Sequence, residues 1–296
     1  MPQIIQFFHP GPEDRSKSKD GIVSWKSTYD GHARKFLCSE GKAIDGDNQI
    51  HENIEIAFWG EWEGDAEVIE LGNGGCAKRL FKPFIDRKNL YEMQHNQNTD
   101  PLVFGRIWYY SNCKQERALR LKKLNLEKIE DGSIIVFGSV LNGNMVIDTV
   151  FVVKKSECYS EKIVKENIFL REVTLAKLME SNEVTTLVNK LNDSGLRLYF
   201  GKKYDEGEPY SFVPAKIIEK GNMEFARPSL DVGLFKKKFP QLDCWQEKPN
   251  GNHARWVYMN TVDEQQCKEI WNYIKDIVTD LGLVLGVDFK EPEVRN

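Results

Sequence analysis

Residues 131–153, DGSIIVFGSVLNGNMVIDTVFVV, constrain the fold of this chain more than any other stretch. Two runs rich in Val, Ile and Phe, which suit a pleated and buried surface, flank Leu141, Asn142, Gly143 and Asn144. Asn-Gly supplies the positive φ angles that a tight hairpin turn demands, so the runs predict an antiparallel pair of buried strands.

Other segments fill out an α+β plan. QIIQFFH near the start is a short apolar run that predicts a buried strand with His9 at its end. NIEIAFWGEWEGDAEVIEL alternates apolar and acidic residues and predicts a hairpin turning near Gly60 or Gly64, with an acidic outer face. VFGRIWYY has strand composition, and CKQERALRLKKL after it has that of a helix with a basic face. Beyond Lys154, KIVKENIFLREVTLAKLMES and EVTTLVNKLNDSG predict one or two helices, and GLRLYFGKKYDEGEPYSFVPAKII returns to strands. The last strong element is TVDEQQCKEIWNYIKDIVTDLG. Thr261 and Glu264 have capping-box spacing, Cys267, Ile270, Ile274, Ile277, Val278 and Leu281 share a side, and Gly282 ends the helix. The expected fold is a single α+β body: a mixed, largely antiparallel sheet with flanking helices and a C-terminal amphipathic helix. Residues 1–154 form a sheet-rich recognition region with 155–296 packed on it as a C-terminal α+β region, or the two are one continuous domain.

Several function classes lack support. No run reaches the roughly 18–20 apolar residues of a membrane span, and the opening MPQIIQFFHPGPEDR does not read as a secretory leader, so a cytoplasmic protein is expected. The six cysteines are widely spaced and the five histidines show no HxxxH or HExxH pattern, which predicts reduced thiols and no metal or other cofactor. GNGGCAKRLFKPF has glycines without phosphate-loop spacing. No GxSxG, SxxK or Cys–His neighbourhood marks a covalent nucleophile, and nucleophilic catalysis by Cys113 is not expected. The net charge of −4 does not suit a protein that coats nucleic acid nonspecifically. Its distribution is uneven: 12 Lys and Arg against 6 acids from Cys76 to Glu130, but 10 acids and only Lys42 from Glu40 to Gly75.

The basic block contains QHNQNTDPLVFGRIWYYSNCKQ, residues 94–115, where amides and rings crowd together. Planar amides pair with a nucleobase edge while rings stack on its face. Asn98, Tyr110 and Gln115, with Trp59 from FWGEWEGD, are the candidate base-binding residues, and Asp100 and Asn112 the leading catalytic candidates. Glu61 lies between Trp59 and Trp62, where burial would raise its pKa toward that of a general acid, although the acids after it suit an ordinary exposed edge. Asp148 is an acid within an apolar strand and must bond to something specific, such as a loop, a catalytic water or Arg106. Arg34, Lys35, Lys78, Arg79 and Arg106 are the candidate contacts to a DNA backbone, and His9 is a further candidate for phosphate.

NTDPLVFG, YYSNCKQ, DGSIIVFGS, IDTVFVV, PYSFVPA and FARPSL form a series that resembles the nucleotide-modification-associated domains found beside genes for modified phage DNA. The likeness spans roughly residues 1 to 245. The SIIVFGS strand is also similar to one in base-reading β-barrel domains of the PUA and ASCH type. The resemblance implies a protein that makes, reads or removes altered bases, with modified DNA as its partner and no obligate protein partner. Of these, removal by a DNA glycosylase in anti-phage defence is expected, since hydrolysis of an N-glycosidic bond needs a flipped base held by rings and amides and one carboxylate. The alternatives are a non-catalytic reader of modified DNA and an enzyme acting on free modified nucleotides.

Overall fold

A computed structural model of the chain describes residues 1–9, 22–23, 34–70, 79–86, 99–115, 126–175, 178, 183–218, 225–249 and 257–295. Strands are numbered in chain order. One sheet contains β1 (Gln3–Phe8), β7 (Tyr109–Tyr110), β8 (Ile134–Leu141), β9 (Asn144–Glu157), β10 (Leu198–Gly201), β12 (Ser229–Leu230) and β13 (Val257–Thr261). The other contains β2 (Ile22–Val23), β3 (Arg34–Ile44), β4 (Ile50–Glu61), β5 (Ala66–Glu70), β6 (Arg79–Asp86), β11 (Val213–Ile217), β14 (Val284–Phe289) and β15 (Glu293–Arg295). Four α-helices are described: α1 (Glu161–Glu166), α2 (Val184–Asp193), α3 (Val232–Lys238) and α4 (Glu264–Thr279). The molecule is thus the expected single α+β body, with two mixed sheets in place of one.

The β8–β9 hairpin is the centre of the first sheet, whose order is β13-β1-β8-β9-β10-β7, with β12 also on β9. Asn142 and Gly143 form its turn with φ of 52° and 88°, and Leu141 pairs with Asn144. β1 runs parallel to β8, and the His9 amide extends that pairing to the Gly138 carbonyl at 2.7 Å. Nearly every residue of β1 and of the β9 core is buried, because these strands are flanked by partners and covered on their faces.

In the second sheet β14 pairs with both β11 and β3, while β4 pairs with both β3 and β11, so β3, β4, β11 and β14 close into a ring. The expected hairpin of residues 53–71 is not formed. β4 pairs with β3, whereas β5 pairs with β6 and β2. The Trp62 indole donates to the Asp65 carbonyl at 2.8 Å within the connection that carries the chain from one pairing to the other. Strands from both sides of residue 154 share both sheets, and the Val150–Phe212 bridge ties β9 to the entry of β11.

The C-terminal helix buries Cys267, Ile270, Trp271, Ile274 and Val278, with Trp271 donating to the Tyr210 carbonyl at 2.9 Å. Ile277 is half-buried and Leu281 exposed. The capping pair also differs from expectation. Thr261 belongs to β13, and the cap is Asp263, which accepts from the Gln266 amide at 2.8 Å while Gln266 reaches back to the Asp263 amide at 3.1 Å. No helix among the described residues is long and apolar enough to cross a membrane.

Candidate functional site

Where the ends of β1, β3 and β4 meet the middle of β9, the two sheets enclose a cluster of polar side chains. His9 follows β1, Arg34 opens β3, Glu61 closes β4, and Asp148 projects from β9. All four are less than a tenth exposed. The β3–β4 pairing places Arg34 opposite Glu61, so two ionic side chains enter the site as a cross-strand pair. The Cys113 segment follows β7, itself an edge strand on β10.

Cys113 Sγ lies 3.2 Å from His9 Nε2, although the two residues are 104 positions apart. On the other side of the ring, His9 Nδ1 faces Glu61 Oε2 at 3.0 Å. Thiol, imidazole and carboxylate are therefore in series, the arrangement in which a base oriented by an acid takes a proton from a nucleophile. Arg34 Nη2 also contacts His9 Nδ1, and Arg34 Nη1 donates to the His9 carbonyl at 3.1 Å. This guanidinium holds the ring from behind. A guanidinium only donates and a carboxylate only accepts, so the tautomer with its proton on Nδ1 pairs with Glu61 and leaves the Nε2 lone pair toward sulfur, whereas the one with a bare Nδ1 pairs with Arg34.

Asp148 binds Arg34 Nη1 through one oxygen at 2.8 Å and Arg227 Nη2 through the other at 2.6 Å. Its expected specific partner is thus a pair of arginines, neither of which is Arg106. Arg227 continues over the Trp59 ring, 4.3 Å from its centroid, and reaches the Ser139 hydroxyl. Arg106 is exposed and lines a separate 190 Å³ cavity with Trp108, Lys202 and Lys203.

Asp100 is fully buried and supports the turn that carries Cys113. It accepts from the amides of Ser111 at 2.9 Å, Asn112 at 2.8 Å and Cys113 at 2.7 Å, and from the Ser111 hydroxyl at 3.2 Å. Burial pushes its carboxyl up to about 6, against the opposing pull of those amides, and the Glu61 charge adds to the rise. The amides expected to read a base are likewise engaged. Asn112 donates to Ser111 Oγ at 2.8 Å, while Gln115 donates to the Ser111 and Arg197 carbonyls at 2.6 and 2.9 Å and accepts from the Arg197 amide at 3.0 Å. Tyr110 is fully buried, stacks on Tyr199 with centroids 5.6 Å apart, and donates to the Cys113 carbonyl at 2.8 Å. Burial raises the phenols of Tyr110 and Tyr159 well above their usual range, so both stay protonated hydrogen-bond donors.

The candidate backbone contacts are dispersed. Arg34 and Lys35 are buried, the latter 5.2 Å over the Phe81 ring, and Arg79 pairs with Glu70 at 3.3 Å. Asn98 and Lys78 lie outside the described residues. Glu61, Glu63 and Asp65 are buried while Glu67 is exposed, so the acidic edge that the charge pattern suggests begins only at Glu67. Sequence reasoning missed the His9–Cys113 pairing and Arg227 altogether. No spacing signals them, since sheet assembly brings them together. Among the described residues no group of His, Cys, Asp and Glu has metal-holding geometry, and Cys38, Cys113, Cys158, Cys244 and Cys267 are in no disulfide.

Comparison of the chain with protein-family models, with curated proteins and with solved structures found no match.

Proposed function

We propose that this chain is a cysteine-dependent enzyme that works through a covalent thiol intermediate. The observation that carries the reading is the buried series Cys113 Sγ, His9 and Glu61, with contacts of 3.2 and 3.0 Å. In the first half-reaction His9 Nε2 takes the thiol proton as sulfur attacks an electrophilic carbon, and the imidazolium then protonates the leaving group. In the second, His9 takes a proton from water, oxygen bonds to the same carbon, and sulfur departs and recovers a proton. Glu61 orients the ring and stabilises the imidazolium. Asp100 holds the Cys113 amide and so positions the nucleophile.

Iodoacetamide treatment followed by peptide mass mapping tests the reading. Cys38 and Cys267 are poor competitors, because burial pushes both thiols up to about 12. Cys113 is expected to be alkylated before the exposed Cys158, and His9→Ala to slow it by about 100-fold, the order of a lost general base. Alkylation of Cys113 no faster than that of Cys158 would overturn the assignment. The competing reading, release of a modified base from DNA through Asp100, is decided by the same protein. Base release from phage-modified DNA that survives Cys113→Ser would favour the glycosylase.

A further inference from the structure

Four buried side-chain N–H groups among the described residues have no hydrogen-bond acceptor: Arg34 Nε, Trp59 Nε1, Arg227 Nε and Trp245 Nε1. The first three belong to one cluster. Arg34 and Arg227 grasp opposite oxygens of Asp148, and Arg227 lies across the Trp59 ring. Trp59 stands two residues before Glu61 on β4 and so shares its face of the strand. Arg34 touches His9, which faces Cys113. The three unmatched donors therefore lie along one chain of contacts that runs from Trp59 through Arg227, Asp148 and Arg34 to the thiol–imidazole pair.

Folded proteins rarely leave a buried donor unmatched, because the loss of water is then uncompensated. Three in one place call for an acceptor from outside the chain. Guanidinium and indole have donors and no acceptor, which restricts the chemistry of that partner to one that only accepts. We infer that Arg34, Trp59 and Arg227 form a receptor for an oxyanion, and that the substrate of Cys113 carries a carboxylate or phosphate beside the carbon under attack. The inference rests on the thiol reading above and adds a substrate class to it. It also gives Trp59 a role distinct from base stacking: its ring is covered by Arg227, and its N–H is the group that binds. The side chain of Arg227 is 9% exposed, which makes it the part of the receptor nearest solvent.

Two alkylating reagents that differ in charge read the receptor directly. Iodoacetate carries the carboxylate and iodoacetamide its neutral amide, so the ratio of their rates at Cys113, relative to the same ratio for free cysteine, measures attraction for an oxyanion. The expected ratio is about tenfold in favour of iodoacetate, the scale of one charge-assisted hydrogen bond. Acetate or inorganic phosphate should protect the thiol, and whichever protects at lower concentration identifies the oxyanion. Trp59→Phe removes one donor while keeping a ring, and Arg227→Gln removes a charge. Each should lower the ratio, which compares two reagents on the same protein and is therefore read whatever the absolute rate of alkylation in the variant. A ratio equal to that of free cysteine, with Cys113 still fast toward iodoacetamide, overturns the receptor and leaves the thiol reading standing. A Cys113 slow toward both reagents overturns both, and a preference unchanged in both variants places the attraction elsewhere and removes the receptor.

Discussion

Asp100→Asn separates the two forces that act on the carboxyl beneath the Cys113 turn. Three backbone amides favour its ionised form, whereas complete burial disfavours any charge there, and burial dominates, taking the group from 3.8 to about 6. A carboxyl whose native pKa lies above its unfolded value binds its proton more tightly when folded. Its contribution to stability is complete below 3.8 and is lost as pH rises through about 6. At about 1.4 kcal/mol per pH unit, the loss between those limits is about 3 kcal/mol. Asparagine does not titrate, and it also leaves at least one turn amide facing a donor, which adds about 1–3 kcal/mol of destabilisation at every pH. Urea unfolding of both proteins at pH 4, 5, 6 and 7 isolates the titrating part, since all other groups cancel in the difference. The advantage of the native protein over the variant should shrink by about 2.4 kcal/mol from pH 4 to pH 7, since part of the loss is already complete at pH 4. An advantage that is constant or grows with pH would refute the reasoning, because the amides would then hold the carboxylate ionised throughout.

Three further outcomes follow from the same geometry. Asp148→Ala leaves the Arg34 and Arg227 guanidiniums without their shared carboxylate and should cost about 3–5 kcal/mol in urea unfolding, with Asp148→Asn less severe. Asp263→Ala should lower the stability of the C-terminal helix by about 1 kcal/mol, and Thr261→Ala by less than half of that, a comparison of melting temperatures that tells the observed cap from the one its spacing suggests. Gly143→Ala should cost about 1–2 kcal/mol by denaturant titration, wholly from its φ of 88°, since an added Cβ meets nothing within 4 Å.

The legible parts of this protein are those decided within a few residues. Asn142-Gly143 specifies its hairpin because few residues tolerate two successive positive φ angles, and the apolar runs beside it are buried as their composition requires. Cys267, Ile270, Ile274 and Val278 mark the inner face of the last helix because a 3.6-residue period is written along the chain. Even so, the helix start moved by two residues, as Thr261 was drawn into pairing with Gln3 on β1. The residues 53–71 repeat the lesson at larger scale. Their alternation identifies strands correctly, but pairing with β3 and β6 is a choice among partners that alternation does not encode.

By itself the sequence determined the class of fold, its central hairpin and its final helix, since propensity and periodicity act through neighbours in the chain. It also singled out Asp100, Asn112, Tyr110 and Gln115 as an unusual density of hydrogen-bonding groups and rings. Only the tertiary structure decided their use. Amide and carboxylate groups spend their bonds on whatever donors and acceptors folding brings near, and here those are the backbone around Cys113. The reactive series was invisible for the complementary reason. His9, Glu61 and Cys113 lie on separate strands and turns, and only the joining of two sheets at the ends of β1, β3 and β4 brings sulfur, imidazole and carboxylate into contact.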